Sequence, residues 1–143
     1  MTKVNIYLNF PGNAEEAFNF YRSVFGGEFS SLIRFKDMPM PGSKVPKADE
    51  TKILHIALPV GSDVLMASDA LASLGQTLVP GDNAYISVSV DSKAEADRVF
   101  KVLSAGGKVE MKMADQPWGD YYGSFADKFG IQWMLNYTPP KTK

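Results

Sequence analysis

The sequence predicts an α+β fold built from two β-α-β-β-β modules, and two observations carry that prediction. A helical segment is spelled twice. "AEEAFNFYRSVFGG" at 14–27 overlays "AEADRVFKVLSAGG" at 94–107 at a constant offset of 80, with Ala14, Glu15, Phe20, Gly26 and Gly27 recurring as Ala94, Glu95, Phe100, Gly106 and Gly107. Each copy also follows one alternating, strand-like segment and precedes three more. By length the 143 residues form a single domain, with one module over about 1–69, a linker at 70–81, a second module over about 82–138 and a polar tail at 139–143.

In the opening strand, "VNIYLNF", Val4, Ile6, Leu8 and Phe10 alternate with Asn5, Tyr7 and Asn9, the period of a strand with two unlike faces. "PGN" breaks it, and Asn13 with Glu16 has the spacing of a helix start. Ala14, Ala17, Phe18, Tyr21 and Phe25 recur at helical spacing and define a buried stripe, and Gly26–Gly27 stops the helix. "EFSSLIRF" is the next strand. The Pro-rich stretch "KDMPMPGSKVPKADE" follows, then "TKILHIAL" and "DVLMASD", joined at "PVGS". The second module opens on "YISVSV", caps its helix with Ser92 and Glu95, ends it at Gly106–Gly107, and closes with "KVEMKM", "GDYYGSF" and "GIQWMLNY".

Composition narrows the function classes. A net charge of −1 supplies no basic field for nucleic acid, and the absence of cysteine removes disulfides, thiolate nucleophiles and Cys-type metal sites together. No apolar run reaches the roughly 20 residues needed to span a bilayer, and no signal-peptide core opens the chain, so a soluble cytoplasmic protein is expected. No glycine-rich turn follows a leading strand of a doubly wound sheet, so no nucleoside cofactor is expected.

The twin module order, with "YLNFPGNAEEAFNFY", "LHIALPVGSDVLMASD" and "WGDYYGSFADKFGIQWMLN", resembles the vicinal oxygen chelate superfamily of glyoxalases, bleomycin-binding proteins and dioxygenases, in its PhnB-like branch. The resemblance covers nearly the whole chain. It implies modules that curl into a cup-shaped mixed sheet with helices outside and a ligand on the concave side. It also implies a homodimer, with some members exchanging modules. The superfamily's usual divalent metal takes ligands from the first and last strand of each module. Those positions fall here on Asn5, Met66, Tyr85 and Met134. Thioethers are soft ligands and phenol is a rare donor to zinc or magnesium, so this quartet is not expected to hold the usual ion, and no cofactor is expected.

With Ile6, Leu8 and Phe10 facing the helix, Asn5 and Tyr7 face the cup, whose lining is expected to include Tyr85, Ser87, Gln132, Met134 and Asn136 as well. His55 is the only histidine and alternates against Leu54 and Ile56, taken as packing under a helix. It reads either as a satisfied, half-buried strand residue or as a general base or ligand contact. Trp118, Tyr121 and Tyr122 form either a packed turn or a stacking wall, with Trp118 and Tyr122 the candidate ligand contacts. Asp69, Asp115 and Asp120 are turn caps or rim acids. Met38 and Met40 sit in the Pro-rich loop, long enough for a lid. The expected function is metal-free binding of a small organic molecule in the cup. The rivals are a lyase, isomerase or dioxygenase-type enzyme using His55 or a displaced metal site, and a structural dimer module whose cup its own side chains fill.

Overall fold

The structure, a computed structural model, describes residues 2–39, 42 and 44–141 of the chain. It divides into two compact units, one running to Val79 and the other beginning at Pro80. The first unit contains β1 (Ile6–Phe10), α1 (Ala14–Phe25), β2 (Ser31–Arg34), β3 (Ile53–Val60) and β4 (Asp63–Asp69). The second contains β5 (Ile86–Ser89), α2 (Lys93–Leu103), β6 (Lys108–Asp115), β7 (Tyr121–Ala126) and β8 (Gln132–Tyr137). Both follow the expected β-α-β-β-β order. Each builds a four-stranded mixed sheet of identical topology, β1-β4-β3-β2 and β5-β8-β7-β6.

Register makes the repeat quantitative. In the parallel pair of the first unit, Tyr7 stands beside Met66; in the second, Ser87 stands beside Met134. The offset is therefore 80 at the opening strands and 68 at the closing ones, so the halves share a frame but differ in the segments between.

One face of each sheet carries the helix. In the first unit Ala14, Ala17, Phe18, Tyr21 and Val24 of α1 are buried, with Phe10, Ile53, Ile56, Leu58, Leu65 and Ala67 of the strands. Val24 completes the helical stripe where Phe25 was expected; Phe25 is only half-buried. In the second unit Ala96, Val99 and Leu103 of α2 are buried, as are Phe125, Trp133 and Leu135 of the sheet. Burying a large apolar side chain is worth about 1.5–3 kcal/mol, and these two clusters dominate what holds each module together.

The helix starts differ from one another. Ser92 caps α2 as expected, its Oγ accepting from the Glu95 backbone N–H at 3.1 Å, while the Glu95 carboxylate pairs with Arg98. Asn13 makes no such bond, and among the described residues its Oδ1 is buried without a partner. The first-turn donor of α1 is met instead by Asp69, which is 4% exposed; its Oδ1 accepts from Ala14 N at 2.9 Å and its Oδ2 from Ile53 N at 2.8 Å. Asp69 is thus a buried structural carboxylate tying helix, β3 and β4 together. A charged acceptor on two backbone donors is a stronger anchor than a side-chain amide on one.

Of the repeated glycines the first of each pair agrees, Gly26 and Gly106 at φ of 79° and 78°, and the second diverges. Gly26 and Gly27 adopt φ of 79° and 84°, where glycine is favoured after a helix. Gly107 has no such conformation; a Cβ there would collide with the Ala126 carbonyl, so it permits close approach of the chain to the end of β7.

Candidate functional site

The helix-free face of the first unit gathers the polar groups that the alternation pointed to. Tyr7 on β1, Met66 and Ser68 on β4 and His55 with Ala57 on β3 share it, because Tyr7 pairs with Met66 and Met66 with Ala57. His55 shares this face with Ala57 by ordinary alternation, and an irregularity follows just beyond it. Ile33 of β2 pairs with His55, but Arg34 pairs with Ile53, so Leu54 is an extra residue in β3. Ile53, and not the half-buried Leu54, therefore joins Ile56 in the core. The Tyr7 hydroxyl lies 3.3 Å from His55 Nδ1 and donates to Ser68 Oγ at 3.1 Å. The Tyr7 and His55 rings stack at 5.8 Å with 29° between their planes. Tyr7 is 46% exposed, so this trio is open to water. Ser68 is a site residue that sequence reasoning passed over, although it sits two residues from Met66 and so on its face.

Asn5 and Tyr85 stand one residue ahead of their strands, both exposed, rather than within them. The Tyr85 hydroxyl donates to Glu110 Oε2 at 2.7 Å, and this bond is the main cause that holds its phenol above the ordinary tyrosine range. Glu110 was hidden to sequence reasoning because β6 shifts register twice against β7, which scrambles the alternation of its faces.

On the helix-free face of the second unit, Ser87, Met134 and Ser124 lie side by side, and Tyr122 pairs with Asn136. Asn136 Nδ2 donates to Asp120 Oδ2 at 3.1 Å, and Gln132 Nε2 to the Ala84 carbonyl at 2.7 Å, which fixes Gln132 to the chain entering β5. The aromatic cluster divides. Trp118, 63% exposed, meets Tyr122 edge-on at 6.1 Å. Tyr121 points to the other face, where its hydroxyl donates to Asp97 Oδ1 of α2 at 2.6 Å and its pKa is pushed up to about 12, chiefly by that bond. Neighbouring strand residues face opposite sides, so Tyr121 and Tyr122 belong to different environments. Asp115 pairs with Lys93 at 2.9 Å.

The loop between β2 and β3 is held at its base by Phe35 N on the Lys52 carbonyl and Lys36 N on the Glu50 carbonyl. Met38 is exposed there, and Met40 lies outside the described residues.

The donor set does not fit a divalent metal at the four family positions. They offer an amide, two thioethers and a phenol already engaged by Glu110. Among the described residues no group of three His, Cys, Asp or Glu side chains is placed to share an ion. No helix among them is long and apolar enough to cross a membrane.

Known proteins give the same assignment as the fold. The chain is 32% identical over 142 residues to protein YjdN of Escherichia coli, covering 91% of each. It matches the crystal structure of protein PA1353 from Pseudomonas aeruginosa with a TM-score of 0.85 at 38% identity, over 96% of this chain and 98% of that one. A Bacillus cereus PhnB protein, described as a putative 3-demethylubiquinone-9 3-methyltransferase, matches with a TM-score of 0.76 at 28% identity, over 96% and 100%. The profile of one family spans residues 3–135. With twin modules in one register and relatives over nearly its full length, the chain belongs to the Glyoxalase/Bleomycin resistance protein/Dioxygenase superfamily, in its PhnB-like branch.

Proposed function

We propose that this protein binds a small organic molecule on the helix-free faces of its modules without a divalent metal, and that it does so as a homodimer. The observation that carries this reading is the Tyr7–His55–Ser68 trio. It is a water-accessible, hydrogen-bonding and aromatic surface built where the superfamily's ligand side is expected. The second module offers Trp118 and Tyr122 for stacking and Ser87 and Asn136 for polar contacts. The donor set at Asn5, Met66, Tyr85 and Met134 supports the metal-free part of the reading. Methyl transfer, named for the Bacillus cereus relative, has no support in this chain. Each sheet is mixed, with one parallel pair, and the β1–α1 connection is the short "PGN", not a glycine-rich nucleotide turn.

One observation favours an enzymatic second reading. His55 is held by Tyr7 through Nδ1, which leaves its other ring nitrogen for proton transfer to a bound molecule. The two readings part experimentally. A thermal-shift screen of polar organic molecules on chelator-treated protein is expected to give stabilising hits. Hits recovered chemically unchanged after long incubation favour the binder, and turnover that His55→Gln abolishes favours the enzyme. Stabilisation that appears only with added divalent metal would overturn the metal-free reading.

A further inference from the structure

Three side chains on three adjacent strands share one proton-bearing hydroxyl. Tyr7 Oη has a single hydrogen and two neighbours, Ser68 Oγ at 3.1 Å and His55 Nδ1 at 3.3 Å. It donates to one and accepts from the other. When it donates to Ser68, it accepts from His55 Nδ1–H. The neutral imidazole then presents Nε2 as a bare acceptor, and Ser68 has its own O–H to give outward. When the chain reverses, Ser68 donates to Tyr7 and Tyr7 to Nδ1. Nε2–H is then the outward donor and Ser68 Oγ the outward acceptor. In both states a neutral trio offers one outward donor with at least one outward acceptor beside it, and never two donors. Among the described residues nothing hydrogen-bonds to His55 Nε2, and Ser68 has Tyr7 as its side-chain partner.

We propose that Tyr7 couples His55 and Ser68 into one recognition unit, and that this unit selects a ligand presenting a donor and an acceptor together, the N–H and C=O of an unsubstituted amide or lactam. Tyr7 and Ser68 act as positioning residues. They set which ring nitrogen of His55 carries the proton, and so what the imidazole can recognise. The amide part rests on the small-molecule-binding reading above; the coupling does not.

Because His55 is the chain's only histidine, its ring nitrogens can be read without ambiguity by ¹⁵N NMR of histidine-labelled protein. The wild-type protein is expected to favour the Nδ1–H form. In Ser68→Ala the Tyr7 proton has no acceptor but Nδ1, so the ring should move toward Nε2–H by about threefold or more in population ratio, although Tyr7 and not a direct hydrogen bond links Ser68 to His55. In Tyr7→Phe the ratio should change as well, and adding Ser68→Ala should then have no further effect. Ser68→Thr, which keeps the hydroxyl, should restore the wild-type ratio. Titration with benzamide should shift Nε2 and weaken about tenfold in Ser68→Ala, the effect of one neutral hydrogen bond. N,N-dimethylbenzamide, an acceptor only, can make one of the two bonds and should bind about tenfold more weakly than benzamide. A folded Ser68→Ala protein with an unchanged tautomer ratio would overturn the coupling while leaving the binding reading intact. Equal effects of the two benzamides, or none from either, would overturn the amide selection even with the coupling present.

Discussion

The two modules place three side chains at equivalent backbone positions and give them different chemistry. Tyr7 beside Met66 corresponds to Ser87 beside Met134. Ser68, one step beyond the Ile56–Ala67 pair and opposite His55, corresponds to Asn136 opposite Tyr122. The first module therefore reads Tyr, His, Ser where the second reads Ser, Tyr, Asn. In the first the three are linked. In the second Tyr122 turns to Trp118 and Asn136 to Asp120. The reason is reach. The opening strand is separated from the third by the closing strand, about 9.5 Å at two strand spacings. A tyrosine on the opening strand spans most of that gap, whereas the serine at Ser87 cannot. One shared frame thus yields a connected polar cluster in one half and separate pairs in the other.

The buried carboxylates differ in the opposite sense, and their removal is the largest expected break in the comparison. Asp127, 3% exposed, satisfies three donors: Phe129 N and Ile131 N through Oδ1, and Trp133 Nε1 through Oδ2. Asp69 satisfies two. Asp127→Ala should cost about 4 kcal/mol and Asp69→Ala about 3 kcal/mol, since buried donors left unpaired bear the full desolvation cost. Denaturant unfolding measures both. Equal or reversed costs would mean that the number of orphaned donors does not set the order.

The links between helix and sheet should separate the modules by pH. In the first, Arg34 of β2 makes two bonds to Glu15 of α1, at 2.9 and 2.6 Å, and the hydrogen bond to Arg34 chiefly holds Glu15 below the ordinary carboxylate range. A depressed folded pKa contributes stability above the unfolded value, and that stability is lost as pH falls through the folded one. In the second, Tyr121 is raised to about 12 by Asp97, so its contribution is complete below the ordinary tyrosine value near 10 and lost as pH rises toward 12. Stability curves should flatten on the acid side in Glu15→Gln and on the alkaline side in Asp97→Asn. Arg34, Glu15 and Tyr121 are partly exposed and Asp97 is exposed, so both shares are small.

The smallest expected effect on stability is at the candidate site. His55→Gln removes one contact of Tyr7, which keeps its bond to Ser68, on a face reached by water. The loss should stay below about 1 kcal/mol in denaturant melts. A cost of about 3 kcal/mol or more would return His55 to the core.

Much of this was legible in the sequence where period and repeat were regular. The recurrence of Ala14 to Gly27 at Ala94 to Gly107 announced two modules, and alternation in "NIYLNF" put Tyr7 opposite the helix. Alternation failed where strands are irregular. Leu54 is an extra residue in β3, and two register shifts in β6 hid Glu110. Asn13 had the composition of a helix cap, but a carboxylate 56 positions further on took the role, a long-range choice that local spacing does not encode. Tyr121 and Tyr122 could have been separated by the same period-two rule that placed Tyr7.

The central claim is that the Tyr7–His55–Ser68 face recognises an organic ligand without a metal. Its most direct measurement is the affinity of a thermal-shift hit for chelator-treated protein, compared between the original chain and His55→Gln. The affinity should be unchanged by chelation and weakened about tenfold by His55→Gln. Binding that disappears on chelation, returns with added divalent metal and is indifferent to His55 would contradict it.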